Sequence, residues 1–97
     1  MTINKHDLYV EKLYERIKGD YDVIEKHVVV RGKRCVKAEI DMIGYKDGRI
    51  HIFEVKCSYR VYKARRQLAH IKKLLNLRSA SLMFYCGTAD QLHTVAV

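Results

Sequence analysis

Asp41, Glu54 and Lys56 are charged residues set within the most hydrophobic part of the chain, the segment EIDMIGYKDGRIHIFEVK at residues 39–56. Charges on an otherwise apolar strand are costly to bury unless they are paired or hold a metal. Two carboxylates beside an ammonium are the set required for metal-assisted attack of water on a phosphodiester. Carboxylate oxygens hold a hard cation such as Mg²⁺, with Mn²⁺ as a substitute, and leave its other positions to water and a phosphate oxygen. The cation polarises the phosphoryl group, while lysine, a compact mobile charge, orients the water and stabilises charge building on phosphorus. The plain alternative is a salt bridge at the end of a sheet, Asp41 with Lys56 or Glu54 with Lys56.

The elements that must position these groups are legible from periodicity. Alternation along a strand puts Glu54 and Lys56 on one side with Ile50 and Ile52, and His51, Phe53 and Val55 on the other. The same alternation on the preceding strand groups Asp41 with Glu39 and Ile43. The turn Lys46-Asp47-Gly48 joins the two, so a short hairpin brings Asp41 towards Glu54. Before the hairpin, residues 5–18 carry Val10, Leu13, Tyr14 and Ile17 on one helical face. Thr2, Asn4 or Asp7 can cap that helix, and Gly19 is placed to end it. Residues 21–30 are rich in β-branched side chains and read as a strand, followed by a basic turn at 31–34. The hairpin strands occupy 36–45 and 49–57. Helical spacing returns over 60–77, with Val61, Ala64, Leu68, Ile71 and Leu75 in one stripe. Residues 80–86 form an apolar strand, and 91–97 form an edge strand. The expected architecture is α/β, with a mixed sheet and helices on its faces.

Length and charge narrow the classes. Ninety-seven residues make one domain with a modest core. Nineteen Lys and Arg against eleven Asp and Glu give a net charge of +8, which favours a polyanionic partner. The three cysteines, Cys35, Cys57 and Cys86, lack paired metal-ligand spacing and fit thiols in a reducing compartment. No signal-peptide core and no membrane-length apolar run is present, so the expected location is the cytoplasm.

Ile40-Asp41, the hairpin, and Phe53-Glu54-Val55-Lys56 resemble the motif of the PD-(D/E)XK nuclease superfamily. The nearest branches are the archaeal Holliday junction resolvases and small bacterial proteins of the YraN type, where E-I-D-L-I precedes E-V-K. The resemblance covers nearly the whole chain as a single nuclease-like domain and implies a restriction-endonuclease-like αβββαβ core. It also implies that Asp41 and Glu54 are metal ligands and that Lys56 assists catalysis. A glutamate on the first helix joins the site in that superfamily. Glu11 and Glu15 compete for the role; Glu11 flanks the apolar stripe and is the choice, whereas Glu15 projects nearly opposite it. Gln67 on the second helix takes the place of an accessory glutamine. Ala38 stands where YraN-type proteins carry glycine, and residues 31–34 offer no match to the serine that resolvases place after the first strand.

Basic residues supply the rest of the expected interface. Arg60, Lys63, Arg66 and Lys73 lie on or beside the second helix, opposite its apolar stripe, and fit a track for nucleic-acid backbone. Arg31, Lys33 and Arg34 form a second cluster. No base-reading module is recognisable, so recognition is expected to follow backbone shape. The expectation is a Mg²⁺-dependent endodeoxyribonuclease acting on branched DNA, working as a homodimer; the tail at 92–97 is a candidate edge for the dimer contact and equally a candidate buried last strand. The alternative is a non-catalytic nucleic-acid-binding module of the same fold within a repair or replication assembly. The five histidines are expected to be structural or surface residues.

Overall fold

A computed structural model describes residues 4–97. Its element order is α1 (Lys5–Ile17), a single 3₁₀ turn (Lys18–Asp20), β1 (Val23–Arg31), β2 (Val36–Lys46), β3 (Arg49–Lys56), α2 (Val61–Leu74), β4 (Ser81–Cys86) and β5 (Gln91–Val95). The five strands form one sheet in chain order, β1-β2-β3-β4-β5. All neighbours are antiparallel except β3 and β4, which run parallel and are joined by the α2 crossover. The protein is therefore a mixed α/β fold with a five-stranded mixed sheet and two helices.

Each helix covers one face. Val10, Leu13 and Ile17 of α1 pack with Met42, Phe53, Val55 and Tyr85. Leu68 and Ile71 of α2 pack with Ile40, Ile43, Ile52 and Leu82, and Ala64 packs with Phe84 and Cys86. The alternation of β3 is thus as its sequence implies, with Phe53 and Val55 under α1 and Ile52 under α2. Asn4 caps α1 by accepting the Asp7 amide at 2.8 Å, which leaves Asp7 inside the first turn rather than at the cap; Thr2, the third candidate cap, lies outside the described residues. α2 stops three residues short of the expected 77. Asn76 is left-handed at φ 52°, and the Leu77 amide turns back to the Lys72 carbonyl, which closes the helix.

Two glycine contexts place the site. Asp47 and Gly48 both have positive φ, 51° and 76°, which makes the β2–β3 connection a two-residue hairpin turn matched to the twist of its strands. At Gly87 the Tyr9 ring lies where a Cβ would stand. This close approach seats the first turns of α1 against the sheet beside the end of β3, whose Lys56 carbonyl accepts the Gly87 amide. At the other end of α1, Arg16 binds the Asp90 carbonyl at 2.8 Å.

Strict alternation fails on β1 and β2, contrary to the expected grouping of Asp41 with Glu39 and Ile43. Ile24 packs on the α1 side, whereas Val28 and Val30 pack on the α2 side; on β2, Ile40 and Ile43, three residues apart, enter the same α2-side cluster. The pairing passes from Lys26↔Met42 to Val28↔Ile40 and skips His27 and Asp41. His27 adopts φ 54°, and this left-handed residue reverses the faces of the outer strand without changing the register.

Candidate active site

The hairpin turn centred on Asp47 and Gly48 sets Asp41 across from Glu54, but the ladder does not reach them. Backbone pairing of β2 with β3 runs from Lys46↔Arg49 to Met42↔Phe53 and then stops. Beyond that point the Val55 amide donates to Asp41 Oδ2 at 2.8 Å instead of to a β2 carbonyl. A carboxylate thus replaces a backbone acceptor exactly where the strands part, and the opening is lined by acid.

Both acids are buried, Asp41 at 6% and Glu54 at 4% exposure, the two charged residues inside the core among those described. Lys56 Nζ stands 3.5 Å from Glu54 Oε1. Burial, and then the adjacent Asp41 carboxylate, push the Glu54 pKa up to about 8; Lys56 acts in the opposite sense and only partly offsets them. With both acids ionised, two carboxylates and one ammonium carry a net negative charge, which a hard cation would neutralise. The donor set fits such an ion: Asp41 Oδ2 is taken by the Val55 amide, and the remaining carboxylate oxygens of Asp41 and Glu54 are hard ligands.

The structure adds a residue that sequence reasoning set aside. His6, in the first turn of α1, places Nε2 3.1 Å from the Val55 carbonyl and 3.4 Å from Asp41 Oδ2. An Nε2–H in this position donates to the Val55 carbonyl and sets the imidazole beside Asp41 Oδ2, which itself accepts the Val55 amide. His6 is 35 residues from Asp41 in the chain, and no local spacing signals the contact.

Glu11, the expected third carboxylate, is placed elsewhere. Its carboxylate receives two bonds from Lys26 Nζ, at 2.8 and 3.0 Å, and Lys26 also lies 4.3 Å above the Tyr14 ring. The reversal at His27 turns Lys26 under α1, where it captures Glu11 a turn beyond the end of the helix that His6 occupies. Glu15 pairs with Lys18 at 2.7 Å. Among the described residues no three His, Cys, Asp or Glu side chains gather as a metal-binding group. A cation held by Asp41 and Glu54 would take its other ligands from water and phosphate.

Lys63, Arg66 and Gln67 line a cleft of about 560 Å³ with Lys37, Ala38, Glu39, His70 and Ile71, between α2 and the amino-terminal half of β2. Gln67 Oε1 is shielded from solvent and has no hydrogen-bond partner among the described residues. Arg60 is the N-cap residue of α2. Lys73 lines a separate shallow depression with Lys72, Asn76 and Arg78. Arg31 ends β1, and Lys33 and Arg34 lie in the exposed connection to β2, at least seven residues before Asp41. The structure therefore brings Lys63, Arg66 and Gln67 together and leaves Lys73 and the 31–34 cluster apart from them.

No family model matches the chain, and no curated protein matches it. No helix among the described residues is long and apolar enough to cross a membrane.

Proposed function

We propose that this protein is a metal-dependent endonuclease of the PD-(D/E)XK type, with a restriction-endonuclease-like core, acting on structured DNA. The observation that carries the reading is the buried Asp41–Glu54 pair, with Lys56 beside it, at the point where β2 and β3 part. An inert salt bridge needs one carboxylate per ammonium. A second buried acid, close enough to raise the first one's pKa, is a cost that a divalent cation offsets.

Asp41 and Glu54 would hold Mg²⁺ or Mn²⁺. When bound, the cation supplies Lewis acidity for water and for the phosphoryl oxygen. Asp41 presents its ligand oxygen in a fixed direction because the Val55 amide holds the other one, with His6 packed beside it. Lys56 orients the attacking water and stabilises negative charge as it grows on the phosphoryl oxygens. Lys63 and Arg66 bind phosphates flanking the cut, with backbone contacts that position the strand without reading its sequence. The +8 charge of the chain supports association with DNA, and its affinity falls with salt. A symmetric dimer suits a branched substrate with two equivalent strands.

The test is cleavage of single-stranded, duplex, flap and four-way-junction DNA, with Mg²⁺ or Mn²⁺ against chelator. The expected result is metal-dependent nicking of the branched forms, lost in Asp41→Ala and in Glu54→Ala. Undiminished cutting by both variants would overturn the assignment.

A further inference from the structure

A second feature lies on the same face of the sheet as Glu54. Cross-strand pairing puts Glu54 beside Phe84 and Phe84 beside His93, so the three form one row across β3, β4 and β5. Two strand spacings separate the ends of that row, about 10 Å. Phe84 is fully buried at its centre. Over it stands Tyr59, from the connection between β3 and α2, with its ring edge-on to Phe84 at 5.5 Å and 78° and to His93 at 5.5 Å and 88°. Although braced by two rings, Tyr59 keeps 56% of its surface exposed. It borders a cleft of about 300 Å³ with His93, Val61, Thr94 and Ala96, and Arg65 contributes a cation to the same cleft.

The geometry points to a base-stacking subsite: we infer that the Tyr59–His93 cleft receives an unpaired base of the DNA strand whose phosphate meets Asp41, Glu54 and Lys56. This rests on the nuclease reading and adds the class of substrate, DNA that is single-stranded or unstacked next to the cut. Three lines lead to a base as the occupant. Aromatic faces flanked by cations are how proteins hold unpaired nucleotides, since every base offers a π-face and every nucleotide a phosphate. Arg60, Lys63, Arg65 and Arg66 crowd the same eight-residue stretch that supplies Tyr59 and the 75%-exposed Tyr62. Lys56 and Tyr59 are three residues apart, so their Cα atoms lie within about 11 Å of each other even with the chain fully extended. A duplex keeps its bases stacked and paired and cannot fill this cleft, so it would be bound through phosphates alone.

Binding of the full-length protein to uncut oligonucleotides in chelator tests the subsite independently of cleavage. The probes are a fluorescent single strand, a blunt duplex of the same sequence, and a single strand carrying 2-aminopurine. Tyr59→Leu, which keeps apolar volume against Phe84, is expected to weaken single-strand binding about tenfold and to remove the 2-aminopurine quenching, while duplex binding barely changes. Tyr59→Phe should retain both signals. Ala96→Leu, at an exposed position on the cleft wall, should reproduce the loss without disturbing the Tyr59 brace. Single-strand affinity and quenching unchanged in both Tyr59→Leu and Ala96→Leu would overturn the subsite. Loss of cutting in every metal alongside retained, Tyr59-dependent stacking would overturn the nuclease reading and leave the subsite intact.

Discussion

The two ends of the β2–β3 hairpin obey different rules. Near the turn the ladder is regular, and Lys46↔Arg49 through Met42↔Phe53 pair in unbroken register. At the far end pairing stops, a side-chain carboxylate takes over an amide from the lost ladder, and two acids are buried together. The regular end is local and self-sufficient. The open end depends on α1, through His6, and on β4, which pairs Phe84 beside Glu54. The buried acids sit where regular pairing gives out because only there can side chains, rather than backbone, face the opening.

That contrast can be broken most severely at the open end. Asp41→Ala or Glu54→Ala is expected to lower DNA cleavage by about 10³-fold, measured as initial nicking rates at saturating metal. His6→Ala should weaken Mn²⁺ binding by about 10–100-fold, read by titration of the metal without substrate, with much of kcat recovered at high metal. His6→Asn, which retains a donor, should restore part of the affinity; an unchanged metal titration in His6→Ala would show that the contact with Asp41 is incidental.

A smaller effect concerns charge. Glu54 has a folded-state pKa of about 8 against an ordinary value of 4.5, so the folded protein keeps a proton that the unfolded chain releases across that interval. Stability is therefore undiminished below about pH 4.5, falls as pH rises through the window, and levels off above about pH 8. Thermal melts in chelator should show this decline in the wild type and a flatter profile in Glu54→Gln. Mg²⁺ should raise the wild-type melting temperature more at pH 8 than at pH 5, because it stabilises the ionised pair. A wild-type profile parallel to that of Glu54→Gln would count against the buried-acid account.

The smallest expected change is at the regular end. Gly48→Ala places a Cβ on a backbone with φ 76°, at a cost of about 1 kcal/mol. That corresponds to a melting-temperature drop of roughly 4–8 °C in a domain of this size. Cleavage by the folded fraction should be unaffected, which separates the turn's structural task from the chemistry at the other end.

Much of the fold was legible because its signals are local. The apolar stripes containing Val10, Leu13 and Ile17, and Ala64, Leu68 and Ile71, mark the two helices, and Asp47-Gly48 marks the hairpin. Opposition of Asp41 and Glu54 follows from the turn alone, since counting outwards from Asp47 and Gly48 reaches both after six steps. Three things were hidden for one physical reason. His27 adopts a left-handed backbone inside a β-branched run, which no propensity foretells. Its reversal carries Lys26 to the α1 side, and Lys26 then binds Glu11, the residue that the helical wheel favoured as a third ligand. His6 reaches Asp41 only because Tyr9 fits against Gly87, a contact between residues 78 positions apart. Each depends on packing between elements distant in sequence, and periodicity within one element carries no information about it.

His27 also bears on how copies of the protein meet in solution. β1 is an outer strand of the sheet, and a long straight margin of free amides and carbonyls invites other chains to add to it. A left-handed residue in mid-strand bends that margin and spoils its regular spacing, so the nine-residue β1 is a poor template for self-association. The opposite margin, β5, is only five residues long. The kink that accompanies the opening at Asp41 thereby also protects an otherwise adhesive border from aggregation.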